Sequence, residues 1–212
     1  VNSQTERLTL TGGAGVIEAL RDTPAQGVAS RGVAIIAHPH PLFGGTMDNK
    51  VVQTLARAFV QCGYTAVRFN FRGVGGSAGE YDAGKAETQD MLAVVQQVAP
   101  EGPIALAGFS FGAFVMSHVL AELWPQGRVE KAVFVGTAAS RFDVAPVPPE
   151  AHERTLVLHG EADDTVDLQS VMNWARPQIL PVTVIPQVEH FFHGQLPLLK
   201  SLVVRHLMSP SS

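Results

Sequence analysis

The chain has 212 residues, 46 % of them apolar, and a formal net charge of −4. That length suits one domain, and a domain of this size buries roughly 70 % of its unfolded surface, so it needs neither disulfide nor metal to hold it. The scattered charge offers no basic stripe to nucleic acid, no apolar run approaches the roughly 18 residues of a membrane span, and the opening VNSQTERL lacks a charged-then-apolar leader pattern.

Arg7–Thr11 and Val16–Arg21 are predicted strands separated by Gly12, Gly13 and Gly15, which reads as an antiparallel hairpin. Val33–Ala37 is a continuous apolar run, the pattern of a strand covered on both faces. Val51, Val52, Leu55 and Phe59 recur at helical spacing, and Gly63, one residue past Cys62, stops that helix. Ala66–Phe71 is a strand; Met91, Val94, Val95 and Val98 mark a helix ended by Pro100. Ile104–Ala107 is a strand and Phe111–Leu123 a helix closed by Trp124-Pro125. Further strands are Ala132–Val135, Thr155–Leu158 and Val182–Ile185, with helices around Asp167–Ala175 and Leu198–Leu207 and a loose tail at Ser209–Ser212.

A hairpin followed by six strands joined through helices predicts the α/β class: one mostly parallel eight-stranded sheet, helices on both faces, in a single domain spanning 1–212. The Pro-rich stretch Val144–Pro149 is a loop between strands of that sheet, not a linker. Only Gly136–Arg154 separates the sixth and seventh strands, too little for a folded lid, so an open site is expected. The lone Cys62 cannot pair within the chain, which fits a cytoplasmic location.

In such sheets ligands bind beyond the C-terminal ends of the strands. There the stretch Ile104–Met116 reads strand, five-residue G-x-S-x-G turn (Gly108 to Gly112), helix. A serine hydroxyl that must project above the sheet edge requires a sharp turn with a strained serine backbone. Hydrogen side chains at 108 and 112 relieve the crowding of strand against helix, and the helix N-terminus favours developing negative charge near Ser110.

Two readings from other classes compete. Gly73-Val-Gly75-Gly-Ser-Ala78 follows a strand and matches a dinucleotide fingerprint, as in a Rossmann-type oxidoreductase. The loop-like Gly79–Gly84 follows it where a helix should begin, and the fingerprint falls outside the first βα turn. A binding protein without catalysis is the other, and a serine placed on a sharp strand-to-helix turn gives it no support. His38-x-His40 also reads as a metal pair, but no carboxylate or cysteine cluster accompanies it. Neither metal nor cofactor is expected.

Five stretches carry a resemblance along the whole chain: His38-Pro-His-Pro-Leu-Phe-Gly-Gly45, Arg72-Gly-Val-Gly-Gly-Ser77, Gly108–Gly112, His159-Gly-Glu-Ala-Asp163 and Glu189-His-Phe-Phe-His193. On these the sequence resembles the α/β-hydrolase superfamily, specifically its small lidless bacterial serine hydrolases related to dienelactone hydrolases. The resemblance implies the α/β-hydrolase fold and the chain order serine, acid, histidine. Four carboxylates compete for the acid: Glu161, Asp163, Asp164 and Asp167. The family pattern G-x-x-D-x-x-V matches Gly160, Asp163 and Val166 and implies Asp163. Asp164 is its chief rival, and otherwise a cap for the helix beginning near Asp167.

For the base, His190 and His193 both follow the last strand; the family position implies His190 and leaves His193 at the surface or as a cap. His118 lies in a helix, His159 ends a strand, and His152 and His206 are expected to be exposed. Acyl transfer needs two backbone N–H groups facing the oxyanion. Phe111 supplies one. Pro39 and Pro41 carry no N–H, leaving His40 or Leu42 for the other, and the resemblance favours His40 through its backbone.

Leu42, Phe43, Phe109, Phe111, Phe191 and Phe192 are candidates for an apolar cleft, with Leu42, Phe43 and Phe191 the first choices for substrate binding; half of the six packing the core is the plainer reading. The expected function is hydrolysis of small or medium acyl esters, the partner being a small-molecule ester rather than nucleic acid or membrane. A thioesterase, lactonase or peptidase would share the same triad of Ser110, His190 and Asp163. The dienelactone hydrolases carry cysteine where this chain has Ser110, and Cys62, at a helix end, is no substitute.

Overall fold

In the computed structural model, which describes residues 5–210, the alternating apolar runs resolve into one sheet. The strands are β1 (Glu6–Gly12), β2 (Gly15–Asp22), β3 (Gly32–Ala37), β4 (Tyr64–Phe69), β5 (Ile104–Phe109), β6 (Val129–Val135), β7 (Thr155–Gly160) and β8 (Thr183–Ile185). Five α-helices join them: α1 (Lys50–Gln61), α2 (Lys85–Val98), α3 (Phe111–Leu123), α4 (Leu168–Ala175) and α5 (Leu196–Met208). The strand order is β1-β2-β4-β3-β5-β6-β7-β8. β1 and β2 form the expected hairpin, β2 meets β4 antiparallel, and every later pair is parallel.

Side chains of successive strand residues face opposite ways, and the two faces are sealed separately. Ile36, Ala107, Val133 and Leu158 pack against Phe59 of α1 and Leu199 and Val203 of α5. Ile35, Leu106 and Phe134 pack against Met91 of α2, Val115 of α3 and Val171 of α4. All six residues of β5 are buried, as a strand covered on both faces demands. Residues 136–154, between β6 and β7, form a loop that ends in the short 3-10 turn Pro149–Arg154. No lid domain interrupts the sheet.

Boundaries moved where polar residues decide them. β4 starts and ends two residues earlier than expected; Asn70 still donates its N–H to the Glu18 carbonyl of β2, but its side chain and the Phe71 N–H are given to bracing loops. The Met47 N–H donates to Asn70 Oδ1, Asn70 Nδ2 donates to Glu18, and the Phe71 N–H donates to His38 Nε2. α2 begins six residues before its first apolar marker, since Glu87 accepts hydrogen bonds from the N–H groups of Asp82 and Gly84 and stabilises a polar first turn. Asp167, not Asp164, caps α4 by accepting from the Ser170 N–H.

Three further expectations are corrected. His152 and His206 are half-buried rather than exposed, each donating from Nε2 to a backbone carbonyl, of Val147 and Arg154 respectively. Of the tail expected to be loose, Ser211 and Ser212 lie outside the described residues, while Ser209 is held. The fully buried Lys131 of β6 donates from Nζ to the carbonyls of His206 and Ser209 at 3.1 and 3.0 Å and to Ser209 Oγ at 3.3 Å. Desolvation lowers the pKa of that ammonium.

The glycine-rich turn after β4 is not a phosphate cradle. The Gly76 N–H is held by the Glu18 carboxylate at 2.7 Å, the Gly73 N–H by the Ser77 carbonyl, and Arg72 clamps Asp90 through two hydrogen bonds of 2.7 and 3.0 Å. The N–H groups of Gly73, Val74, Gly76, Ser77 and Ala78 are all engaged by the protein, and no helix follows the turn before Lys85, both of which count against the dinucleotide reading. No helix among the described residues is long and apolar enough to cross a membrane.

Candidate active site

Ser110 sits between β5 and α3 with φ 57° and ψ −116°, the left-handed backbone that the elbow requires of a side chain that must stand clear of the sheet. Its N–H donates to the Val135 carbonyl of β6, and its own carbonyl accepts from Ala113 and Ala138. The flanking glycines are demanded by contact. A Cβ at Gly112 would lie 2.4 Å from the Ala37 carbonyl oxygen, and one at Gly108 2.4 Å from that of Gly112. The end of β3 is thereby pressed against the start of α3, which brings the His38–Leu42 loop beside the nucleophile.

His190, in the loop after β8, reaches back across the sheet edge. Its Nε2 is 3.2 Å from Ser110 Oγ and its Nδ1 2.6 Å from Asp163 Oδ2. Asp163 follows β7 and is buried; its Oδ1 accepts from the N–H groups of Thr165 and Val166 at 2.9 and 2.8 Å. With the carboxylate as acceptor, Nδ1 of His190 must carry the proton, so Nε2 presents its lone pair to the serine hydroxyl. Phe109 lies 4.8 Å from the imidazole, ring centre to ring centre, and Phe191 meets it edge-on at 5.0 Å. A Cβ at Gly136 (φ 54°) would lie only 3.1 Å from His190 Cε1, so this ring needs a glycine beneath it.

The rivals fall elsewhere. Asp164 is exposed and makes no contact with His190, while the imidazole of His193 is 80 % exposed and pairs with Glu189. His38 is wholly buried: Nδ1 donates to the Pro39 carbonyl at 2.7 Å and Nε2 accepts from Phe71. Burial lowers its pKa to about 4. His40 Nδ1 accepts from the Leu42 N–H, which puts the ring proton on Nε2, facing Tyr81 Oη at 3.2 Å. These ring nitrogens are thus engaged within the protein, and the pair offers a metal no convergent lone pairs. The His40 N–H has no protein acceptor among the described residues, and that of Phe111 belongs to the first helical residue, where no intrahelical partner exists.

Above Ser110 opens a cleft of about 260 Å³, lined among others by His40, Phe43, Phe111, Arg141, Phe142, His190 and Phe191. Phe43 and Phe191 both line it. Leu42 does not: it is 63 % exposed and outside the lining, because its N–H is turned toward His40 by the 3-10 turn Pro41–Phe43. Phe109 and Phe192 are buried in the core packed by α1 and α5, as the plainer reading had it.

Sequence reasoning passed over Arg141 and Phe142, which enter from the segment after β6; their signal was a cation and an aromatic side by side in a loop at the C-terminal edge of an interior strand. It also treated His159 as a mere strand end, although its Nε2 lies 3.4 Å from Asp163 Oδ2.

Comparison with known proteins agrees with this architecture. Residues 23–142 match the family model described as X-Pro dipeptidyl-peptidase (S15 family). An α/β serine hydrolase without a lid from Xanthomonas campestris is 36 % identical with a TM-score of 0.86, covering 100 % of this chain and 98 % of that one. An α/β serine hydrolase homologue from Coxiella burnetii is 38 % identical with a TM-score of 0.80, covering 95 % and 97 %. An uncharacterised protein of Rickettsia prowazekii is 33 % identical over 181 residues, 76 % of this chain and 71 % of that protein. The chain thus belongs to the X-Pro dipeptidyl-peptidase (S15) family and is, in fold, an α/β serine hydrolase without a lid.

Proposed function

We propose that the protein hydrolyses carboxylic esters of small or medium acyl groups through an acyl-enzyme on Ser110, with His190 as base and Asp163 as its orienting acid. The observation that carries this reading is the continuous path from Asp163 Oδ2 through the imidazole to Ser110 Oγ, at 2.6 and 3.2 Å, on the floor of an apolar cleft.

Ser110 Oγ attacks the ester carbonyl and gives its proton to His190 Nε2, while Asp163 stabilises the imidazolium. The N–H groups of Phe111 and His40 receive the oxyanion. His190 then protonates the departing alcohol, and a water molecule activated by the same nitrogen releases the acid. Phe43 and Phe191 flank the acyl chain.

A fluorophosphonate probe tests the reading: Ser110 is labelled in the native protein and Ser110→Ala is not. Absence of labelling in folded native protein would overturn it. The family model makes a peptidase the second reading, so p-nitrophenyl esters of increasing chain length are compared with an X-Pro p-nitroanilide. Faster turnover of the anilide would transfer the assignment from ester to amide cleavage.

A further inference from the structure

Asp163 faces two histidines, and the mechanism above uses one. His159, the penultimate residue of β7, is fully buried. Its Nε2 donates to the Val166 carbonyl at 2.7 Å and stands 3.4 Å from Asp163 Oδ2, the oxygen that accepts from His190. Val166 in turn donates its N–H to Asp163 Oδ1. The imidazole therefore closes a ring: strand β7, the Val166 carbonyl, the Val166 N–H, the Asp163 carboxylate and back.

The other nitrogen completes the picture. His159 Nδ1 is buried and has no hydrogen-bond partner among the described residues. As a bare lone pair on a neutral ring it costs the desolvation of one acceptor; protonated, it would be a buried charged donor with nowhere to donate, a more expensive state. The geometry thus restricts His159 to one proton, on Nε2. The charged and titratable groups acting on it are Asp163, His190 and Asp167; Asp163 and Asp167 raise its pKa and His190 lowers it, yet burial outweighs them and the net direction is down. A second cation at this place would compete with His190 for the same carboxylate oxygen just when the imidazolium forms.

We propose that His159 is a positioning residue for the reaction: a permanently neutral imidazole that straps the Asp163–Val166 turn to β7, fixes Oδ2 toward His190 and leaves the carboxylate charge undivided. This rests on the hydrolase reading of the site, though not on its substrate.

The test compares His159→Gln, whose amide can restore an N–H donor, with His159→Phe, which keeps a ring and removes the donor. His159→Phe lowers kcat roughly 10- to 100-fold with KM changed less than about three-fold, as expected when supporting hydrogen bonds of a catalytic group are lost, and His159→Gln recovers most of the loss. Independently of turnover, the His190 Nδ1 proton gives a far-downfield NMR signal in the native protein and in His159→Gln, and in His159→Phe it moves upfield or exchanges too fast to be seen. Equal kcat and an unmoved signal in folded His159→Phe would overturn the proposal. If His159→Phe does not fold, the native protein still decides: the His159 ring nitrogens must show one proton, on Nε2, at every pH where the enzyme works, and a second proton appearing there would overturn it. A native protein with no turnover and no probe labelling that still shows the downfield proton would instead defeat the hydrolase reading and leave the strap intact.

Discussion

The cleft above Ser110 encloses about 260 Å³, whereas a second cavity, between the hairpin and α1, encloses about 350 Å³ and is lined by Asp22, Gln53, Arg57, Arg68 and Lys200. Size and charge favour the second, yet its buried cation, Arg68, is engaged with the fold. The Arg68 side chain is 3 % exposed, donates to the Met47 carbonyl at 2.8 Å and faces Asp22 and Asp48 at 3.4 Å. In the cleft Asp163, His190 and Ser110 are aligned instead of neutralised: each is fixed by backbone or by a neighbour, and the end of the line, Ser110 Oγ, faces open space. Polar groups that satisfy each other hold a fold together, while reactivity needs a group held firmly with one valence left over.

The sharpest way to break this contrast is to change one atom of the line. Asp163→Asn reduces kcat about 10⁴-fold, because an amide offers His190 the wrong tautomer, and Asp164→Asn changes it less than about two-fold. Steady-state kinetics on one p-nitrophenyl ester separates them, and the reverse ranking would move the acid by one residue.

Groups engaged wholly with the fold answer to pH through stability. His38 is neutral in the folded chain down to about pH 4, against 6.5 for the ordinary side chain. Above pH 6.5 neither state binds the proton and stability is untouched. As pH falls from 6.5 toward 4 the unfolded chain takes up a proton that the folded one refuses, so stability drops, by about 3 kcal/mol from His38 alone. His206, lowered to about 4 by burial and by Lys131, acts in the same direction. Urea unfolding across this window measures the slope, and His38→Gln flattens it.

The smallest effect belongs to the second cavity. Arg68→Met strands the Met47 carbonyl and deprives Asp22 of its cation, leaving it the Thr5 hydroxyl alone among the described residues, at a cost of about 2 kcal/mol. The melting temperature falls by roughly 4–8 °C, while kcat/KM stays within about two-fold. A loss of turnover without a loss of stability would show that the two cavities are coupled.

Sheet composition and the sharp turn at Ser110 were legible because they rest on local rules: apolar runs mark strands buried on both faces, and Gly108 and Gly112 are forced by contacts at the elbow itself. The choice of His190 over His193 and of Asp163 over Asp164 came from resemblance, since the competitors lie three residues and one residue away, and no propensity separates them. What escaped was set by partners distant in the chain. α2 begins at Lys85 because Glu87 caps it, and periodicity has no power over a polar turn. Leu42 looked like a cleft residue by composition, but the turn set by His40 aims it at solvent. His159 was passed over because its importance lies in the loop it meets, not in the strand it ends.

Lys131 bears on the order in which the molecule is completed. Its ammonium, on an interior strand, is received by carbonyls 75 and 78 residues further along the chain. A ribosome delivers the N-terminal part first, so β6 emerges with a buried cation still lacking its acceptors. Only when α5 settles against α1 does that charge find them, which makes the last helix a clasp on the finished sheet.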